Sequence, residues 1–396
     1  MKIAFLTAGG IAPCLSASIA SLVHKYNDLC PEAELVGYLN GYRGLLIGES
    51  IVFPESVKKD FSVLYDYGGS PIGNSRVKLT NIEDCVKKGY VKEGSDPLEV
   101  AANQLTKDNI NILHTIGGDD TNTMAAQLSF YLEKNGYELT VVGLPKTVDN
   151  DVFPVSQTLG AWTAAEQGAI FFENIVNENT TSTRQLIIHE VMGRHCGWLT
   201  AKTAKDYRDR LKNKVFLPEL MVEQSKWDID AIYIPEQDFN FQNEVDRLRS
   251  LMDEKDNINI FLSEGAGQDA IVRGMEERGE KVPRDAFGHV RLDEINPGQW
   301  FAKQFSSALK AEKTLVQKSG YFARSAKANA QDLELIKRSA FFAAEQGLNG
   351  KSGLAGLDED NNNQLRLIEF ERINGGKPFD FSLDWFQTMT KDIGQQ

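Results

Sequence analysis

Three short runs in this chain combine glycine, carboxylates and a cation at spacings that suit phosphoryl chemistry. Gly9-Gly10 follows an apolar run at 3–6 and precedes a helix-like stretch that starts at Ser16. Gly117-Gly118-Asp119-Asp120-Thr121 follows a second apolar run, 110–116, in the same way. Glycine lets backbone N–H groups approach an anion, and a following helix adds its positive end. Taken singly, each glycine pair also suits a plain strand–helix turn. Asp119 and Asp120 could hold Mg²⁺, which takes oxygen ligands beside phosphates; the alternative is a simple helix N-cap. The third run is Pro145-Lys146-Thr147-Val148-Asp149-Asn150-Asp151. Two carboxylates with Lys and Thr beside them can hold a metal phosphate and take a hydroxyl proton, or they form a solvated acidic turn. None of these runs has the GxGxxG spacing, so nicotinamide or flavin binding has little support.

Such groups work only on rigid supports. Apolar, β-rich runs at 3–6, 35–39, 110–116, 140–144, 185–191, 231–234, 258–262 and 314–317 each lead into a polar or glycine-rich loop. Stretches at 16–26, 121–135, 162–177, 245–253 and 333–346 carry apolar residues at three- and four-residue spacings. Alternating strand and helix predicts an α/β fold with largely parallel sheets, and ligands then bind beyond the carboxyl ends of the strands. The same rhythm in both halves, without an internal repeat or a Pro/Ser-rich linker, predicts two Rossmann-like α/β lobes.

Composition sets the outer limits. The 396 residues carry 43 Lys and Arg against 56 Asp and Glu, a formal charge of −13. That balance does not suit a nucleic-acid backbone, so no nucleic-acid partner is expected. No apolar run approaches the ~18 residues of a membrane span, so no membrane partner is expected either. Gly9, Gly10 and Pro13 interrupt the first apolar run too early for a secretory signal. The cysteines at 14, 30, 85 and 196 are scattered, as expected of reduced thiols in a cytoplasm.

In order, Gly9-Gly10-Ile11-Ala12-Pro13, Gly117-Gly118-Asp119-Asp120-Thr121, Pro145-Lys146-Thr147-Val148-Asp149-Asn150-Asp151, Met192-Gly193-Arg194 and Ser263-Glu264-Gly265 resemble the phosphofructokinases, as far as about Gly353. The resemblance implies the phosphofructokinase fold and phosphorylation of O1 of fructose 6-phosphate. It implies Asp149 as general base, with Thr147, Val148 and Asp151 beside it positioning the sugar and the transferring group. It implies Asp119 on the Mg²⁺ side, and Gly10 and Arg76 (in Gly73-Asn74-Ser75-Arg76) on the phosphoryl donor. Met192, Gly193, Arg194 and Glu264 match the sugar-binding elements, Arg194 also serving catalysis. Tyr321 and Arg324, in Gly320-Tyr321-Phe322-Ala323-Arg324, match the sugar 6-phosphate signature better than the segment around His289, which is read as structural. Arg184 stands one position from a family arginine that reaches a neighbouring subunit. A homodimer or homotetramer is implied.

Asp120 and Lys146 stand where ATP-dependent members carry glycine, and so resemble the pyrophosphate-dependent branch. A carboxylate at 120 takes space a nucleotide α-phosphate needs and repels it; like charges about 4 Å apart cost ~1 to ~4 kcal/mol depending on solvent exposure. Lys146 supplies charge to pyrophosphate oxygens. Pyrophosphate, fructose 6-phosphate and Mg²⁺ are therefore the expected ligands, in a readily reversible reaction. An ATP-dependent enzyme or a non-catalytic regulatory homologue are the other readings. The expected lobes are 1–163 with about 324–375 for the donor, and 164–323, with or without 376–396, for the sugar, the latter carrying an insertion near 283–313. Asp358, Asp360, Asn362 and Glu369 have the spacing of a Ca²⁺ loop, but the glycines before them favour a turn between strands at 353–357 and 365–370.

Overall fold

A computed structural model describes residues 1–283, 292–373 and 375–395. The chain divides into two compact units, Met1–Ala164 with Arg324–Lys377, and Ala165–Ala323 with Pro378–Gln396.

The first unit starts with β1 (Lys2–Thr7), β2 (Glu34–Tyr38), β3 (Ser50–Val52), β4 (Ile112–Gly117) and β5 (Thr140–Pro145). The second contains β6 (Gln185–Val191), β7 (Ala231–Tyr233), β8 (Asn257–Ser263) and β9 (Lys313–Lys318). The chain then returns to the first for β10 (Gly353–Asp358) and β11 (Gln364–Ile368). The first sheet has the order β11-β10-β5-β4-β1-β2-β3, and the second β7-β8-β6-β9. All pairings are parallel except β2–β3 and β10–β11. This is the expected α/β architecture.

The apolar runs became central strands because a parallel sheet is covered on both faces. All six residues of β4 and all seven of β6 are buried. Each of these two strands also buries a histidine. His114 on β4 meets the Tyr26 hydroxyl at 2.6 Å and the Val142 carbonyl at 3.2 Å. His189 on β6 stacks on Phe172, 5.5 Å between ring centres, and neither ring nitrogen has a hydrogen-bond partner among the described residues.

Order along the first sheet reverses at β1: β2 lies on one side of it and β4 on the other. The loops after β1 and β4 therefore flank a topological switch point, where α/β sheets open a crevice. Two interlocked caps stiffen the surroundings. Asn329 accepts the Asp332 N–H at the start of the helix Ala330–Leu348. Buried Asp332 in turn accepts the Gly160 N–H at 3.1 Å, and the Thr163 N–H and hydroxyl at 2.7 and 2.6 Å. One carboxylate thus ties the segment 160–163 to the helix Ala330–Leu348 within the first unit.

Asp358, Asp360, Asn362 and Glu369 lie at a hairpin between β10 and β11. Asp358 and Asp360 are neutralised by Arg372, and Asp358 also faces Arg366. That is the strand turn, not a cation loop. Within the segment read as an insertion, the helix Pro297–Leu309 buries Phe301, Phe305 and Leu309 in the core of the second unit. It is therefore part of that core rather than an appendage. His289 lies outside the described residues.

Candidate active site

In the first unit a cavity of about 270 Å³ opens at the switch point. Its lining includes Gly10, Arg76, Asp119, Asp120, Lys146, Thr147, Val148, Asp149, Asp151 and Arg324. These come from the loops after β1, β4 and β5, from a crossover segment, and from the returning chain.

The glycine turn is shaped by what lies on it. Gly9 has φ +89°, and a Cβ there would come within 2.9 Å of the Lys146 Nζ. A Cβ on Gly10 would fall 1.8 Å from an Arg324 guanidinium nitrogen. Both cations therefore rest directly on the turn. Lys146 donates to the Gly10 carbonyl at 2.7 Å, and Arg324 Nε to the Ile11 carbonyl at 2.7 Å. The segment carrying Arg76 is fastened to the same turn, with Gly9 N–H on the Ser75 carbonyl and the Asn74 side-chain amide on the Gly9 carbonyl. Lys146 is only 4% exposed. Burial, with Arg324 and Arg76 nearby, pulls its ammonium down to about 8.

The loop after β5 is pinned from both ends. Lys146 N–H bonds the Gly117 carbonyl, and Leu159 N–H the Pro145 carbonyl. The Thr147 hydroxyl donates to Asp151 and accepts from the Asp149 N–H, both at 3.1 Å. Asn150 takes the left-handed conformation, φ 56°. Its side chain accepts from Thr158 and donates to the Ser156 carbonyl. Asn150 thereby turns the backbone so that Asp149 and Asp151 both line the cavity. Burial holds the Asp151 carboxyl above its ordinary range, with the nearby Asp119 charge adding to it.

Asp120 does not stand alone. Lys78 meets its carboxylate at 2.5 Å, and both line the cavity. The repulsion expected of a lone carboxylate is therefore largely cancelled, and what Asp120 presents is one side of an ion pair. Among the described residues no group of three or more His, Cys, Asp or Glu is arranged to hold a metal. Mg²⁺ does not need one, because it binds through one or two carboxylates and completes its shell with phosphate and water oxygens. Asp119 and Asp151 offer that donor set.

The other tags gather in the second unit, at the carboxyl ends of β6 and β8. Gly193 has φ 126°, and its carbonyl accepts the Ser263 hydroxyl at 2.5 Å. Glu264 N–H bonds the Val191 carbonyl at 2.9 Å. Burial raises the Glu264 carboxyl; Arg194 opposes this and Glu190 adds to it. Arg194 lines a cavity of about 500 Å³ with His195, Asp238, Arg273 and Trp300. Met192, Gly193, Arg194 and Glu264 are thus brought together.

Three further expected residues are placed as follows. Arg324 faces the glycine turn, while Tyr321, in the same short helix Gly320–Arg324, is 75% exposed and lines neither cavity. Arg184 precedes β6, at the end away from Met192, where it bonds Asp253 and the Leu309 and Lys310 carbonyls. Those contacts lie within its own unit. Cys14 and Cys196 are buried, and burial pushes the Cys14 thiol far up, so it is no reactive thiolate. The parts played by Lys78, Asn150 and Thr158 do not follow from the motifs. Only Asn150 carried a local signal, since asparagine between two such carboxylates suits a left-handed turn.

The Phosphofructokinase family model matches residues 2–346. A protein of Methylomonas methanica named pyrophosphate–fructose 6-phosphate 1-phosphotransferase is 57% identical over 394 residues, covering 100% of this chain and 96% of its own. One of the same name from Methylotuvimicrobium alcaliphilum is 55% identical over 394 residues, covering 100% and 96%. A crystal structure of pyrophosphate-dependent phosphofructokinase from Marinobacter aquaeolei shares the fold, with a TM-score of 0.72 at 20% identity over 100% of this chain and 92% of that one.

Proposed function

This chain belongs to the phosphofructokinase family, and from that premise we propose that it transfers a phosphoryl group from pyrophosphate to O1 of fructose 6-phosphate. The products are fructose 1,6-bisphosphate and phosphate. The observation that carries the choice of donor is Lys146, a buried ammonium resting on the glycine turn. The cavity of about 270 Å³ sets Arg76, Lys78, Lys146 and Arg324 beside Asp119, Asp120, Asp149 and Asp151, a lining that suits a compact polyanion taken up with a divalent cation.

In this reading the Gly10 turn, Arg76 and Lys146 hold pyrophosphate, and the Asp120–Lys78 pair narrows the wall where a nucleotide would continue. Asp119 and Asp151 would hold Mg²⁺, which when bound neutralises phosphate charge. O1 of the sugar attacks the terminal phosphorus, and its proton passes to Asp149. The new O1–P bond forms as the bridging P–O bond breaks, and phosphate leaves with the electron pair. Lys146 and Arg194 stabilise the charge that shifts in this step, and positioning with charge neutralisation supplies most of the rate. Thr147 keeps the Asp149 backbone and the Asp151 carboxylate in register.

Met192, Gly193, Arg194 and Glu264 bind the sugar. Tyr321 and Arg324 take its 6-phosphate, Arg324 exchanging the Ile11 carbonyl for a bidentate phosphate contact. The reaction is reversible and serves glycolysis or gluconeogenesis in the cytoplasm, with the chain as a homodimer or homotetramer. No helix among the described residues is long and apolar enough to cross a membrane. The test is the reverse reaction: fructose 1,6-bisphosphate, phosphate and Mg²⁺ should yield pyrophosphate. A purified protein that forms none, while binding the sugar, would contradict the proposal.

A further inference from the structure

The family model ends at residue 346, yet the chain beyond it returns to the acid loops of the first unit. Gly375 lies directly under the Asp119 carboxylate, where a Cβ would fall 1.8 Å from Oδ2 and 2.7 Å from Cγ. Two residues on, the Lys377 N–H bonds the Asp151 carbonyl at 3.0 Å. The Lys377 ammonium holds the Val155 carbonyl and Glu359, both at 2.6 Å, and so ties the loop carrying Asp149 and Asp151 to the β10–β11 turn. One short segment thus supports both carboxylates offered to Mg²⁺.

We propose that Gly375 and Lys377 are positioning residues for the phosphoryl-donor site, Gly375 setting the place of the Asp119 carboxylate and Lys377 that of the Asp151 loop, while Gly376 between them takes no part. The proposal rests on the reading of Asp119 as the Mg²⁺-side carboxylate. Its physical basis is steric and local. Asp119 is a short side chain at the first turn of the helix Asp119–Lys134, so it cannot yield to a methyl group at 375 without turning its carboxylate away. Groups that orient a metal's carboxylates typically change metal affinity or activity by about 10–100-fold when altered.

A neighbouring glycine supplies the control. Gly376 has φ +79° and nothing within 4 Å of a Cβ built on it. Gly376→Ala therefore strains the backbone without touching Asp119, whereas Gly375→Ala touches Asp119 first. Binding of magnesium pyrophosphate would be measured by titration calorimetry, together with KM for each substrate. Gly375→Ala is expected to weaken magnesium pyrophosphate binding about 10–100-fold, with KM for fructose 6-phosphate within about twofold. Gly376→Ala is expected to leave both binding constants unchanged. Lys377→Met should raise KM for pyrophosphate selectively, and Lys377→Arg should restore it; this pair decides the matter if Gly375→Ala does not fold. Equal binding by Gly375→Ala and wild type, or equal effects of the two alanines, would overturn the proposal. Asp119→Asn separates it from its premise. If that variant binds magnesium pyrophosphate normally, the reading of Asp119 fails; if it binds weakly and Gly375→Ala does not, only the role of Gly375 fails.

Discussion

Replacing Lys146 by Met should damage turnover and stabilise the fold at once. The side chain is 4% exposed, and its ammonium donates to the Gly10 carbonyl at 2.7 Å. Against one pyrophosphate charge about 4 Å away, a site with partial screening gives ~4 kcal/mol. At 1.4 kcal/mol per tenfold, kcat/KM for pyrophosphate should fall by about 10³-fold. The same burial lowers the Lys146 pKa from 10.5 to about 8, so the folded state holds this proton less tightly than the unfolded chain does. At neutral pH that difference costs the native state up to about 3 kcal/mol, and methionine removes the cost. Wild-type kcat/KM for pyrophosphate should also decline as pH rises through about 8, where the cation is lost, and the variant should lack that limb. Steady-state kinetics across pH 6.5–9.5 (about three units, bracketing that value) and thermal unfolding of both proteins provide the assay. A loss under tenfold, or a variant that melts below the wild type, would refute the electrostatic reasoning.

Other consequences can be checked in parallel. Asp149→Asn should lower kcat by about 10²–10⁴-fold with both KM values little changed, since it removes the proton acceptor and keeps the N–H bond to Thr147. Asp120→Gly should improve use of ATP less than about tenfold, because Lys78 already cancels most of the carboxylate charge; a gain of 10³-fold would restore the lone-charge picture. Acid stability should be governed partly by His114 and His189, which burial lowers from 6.5 to about 3. Below pH 6.5 the unfolded chain binds more protons, so stability falls with pH by up to about 1.4 kcal/mol per unit for each histidine. His189→Phe should halve that slope in chemical denaturation at pH 4–6 (about the middle of the window), as its ring stacks on Phe172 and its nitrogens have no partners.

What the sequence made legible follows from how local the governing physics is. Central parallel strands are buried on both faces, so β4 and β6 stand out as apolar runs, and the chemistry-bearing residues follow them directly. That is why Gly10, Asp119, Lys146 and Asp149 could be grouped before any fold was known. Contacts across the chain left no such trace. Lys78 reaches Asp120 from a crossover segment, and Gly375 reaches Asp119 from far beyond it, with no periodicity to announce either. Arg184 and Arg324 were found as residue types near a motif, but a guanidinium's direction depends on which carbonyls the fold sets around it. Asn150 lies between: its identity hints at a left-handed turn, while its buried partner Thr158 comes only with the folded loop.

The most direct test of the account is a donor comparison. Purified protein would receive fructose 6-phosphate and Mg²⁺ with either pyrophosphate or ATP, and fructose 1,6-bisphosphate would be followed. Turnover is expected with pyrophosphate, and none of consequence with ATP. Turnover with ATP alone would contradict it, and would leave the buried Lys146 without the role assigned here.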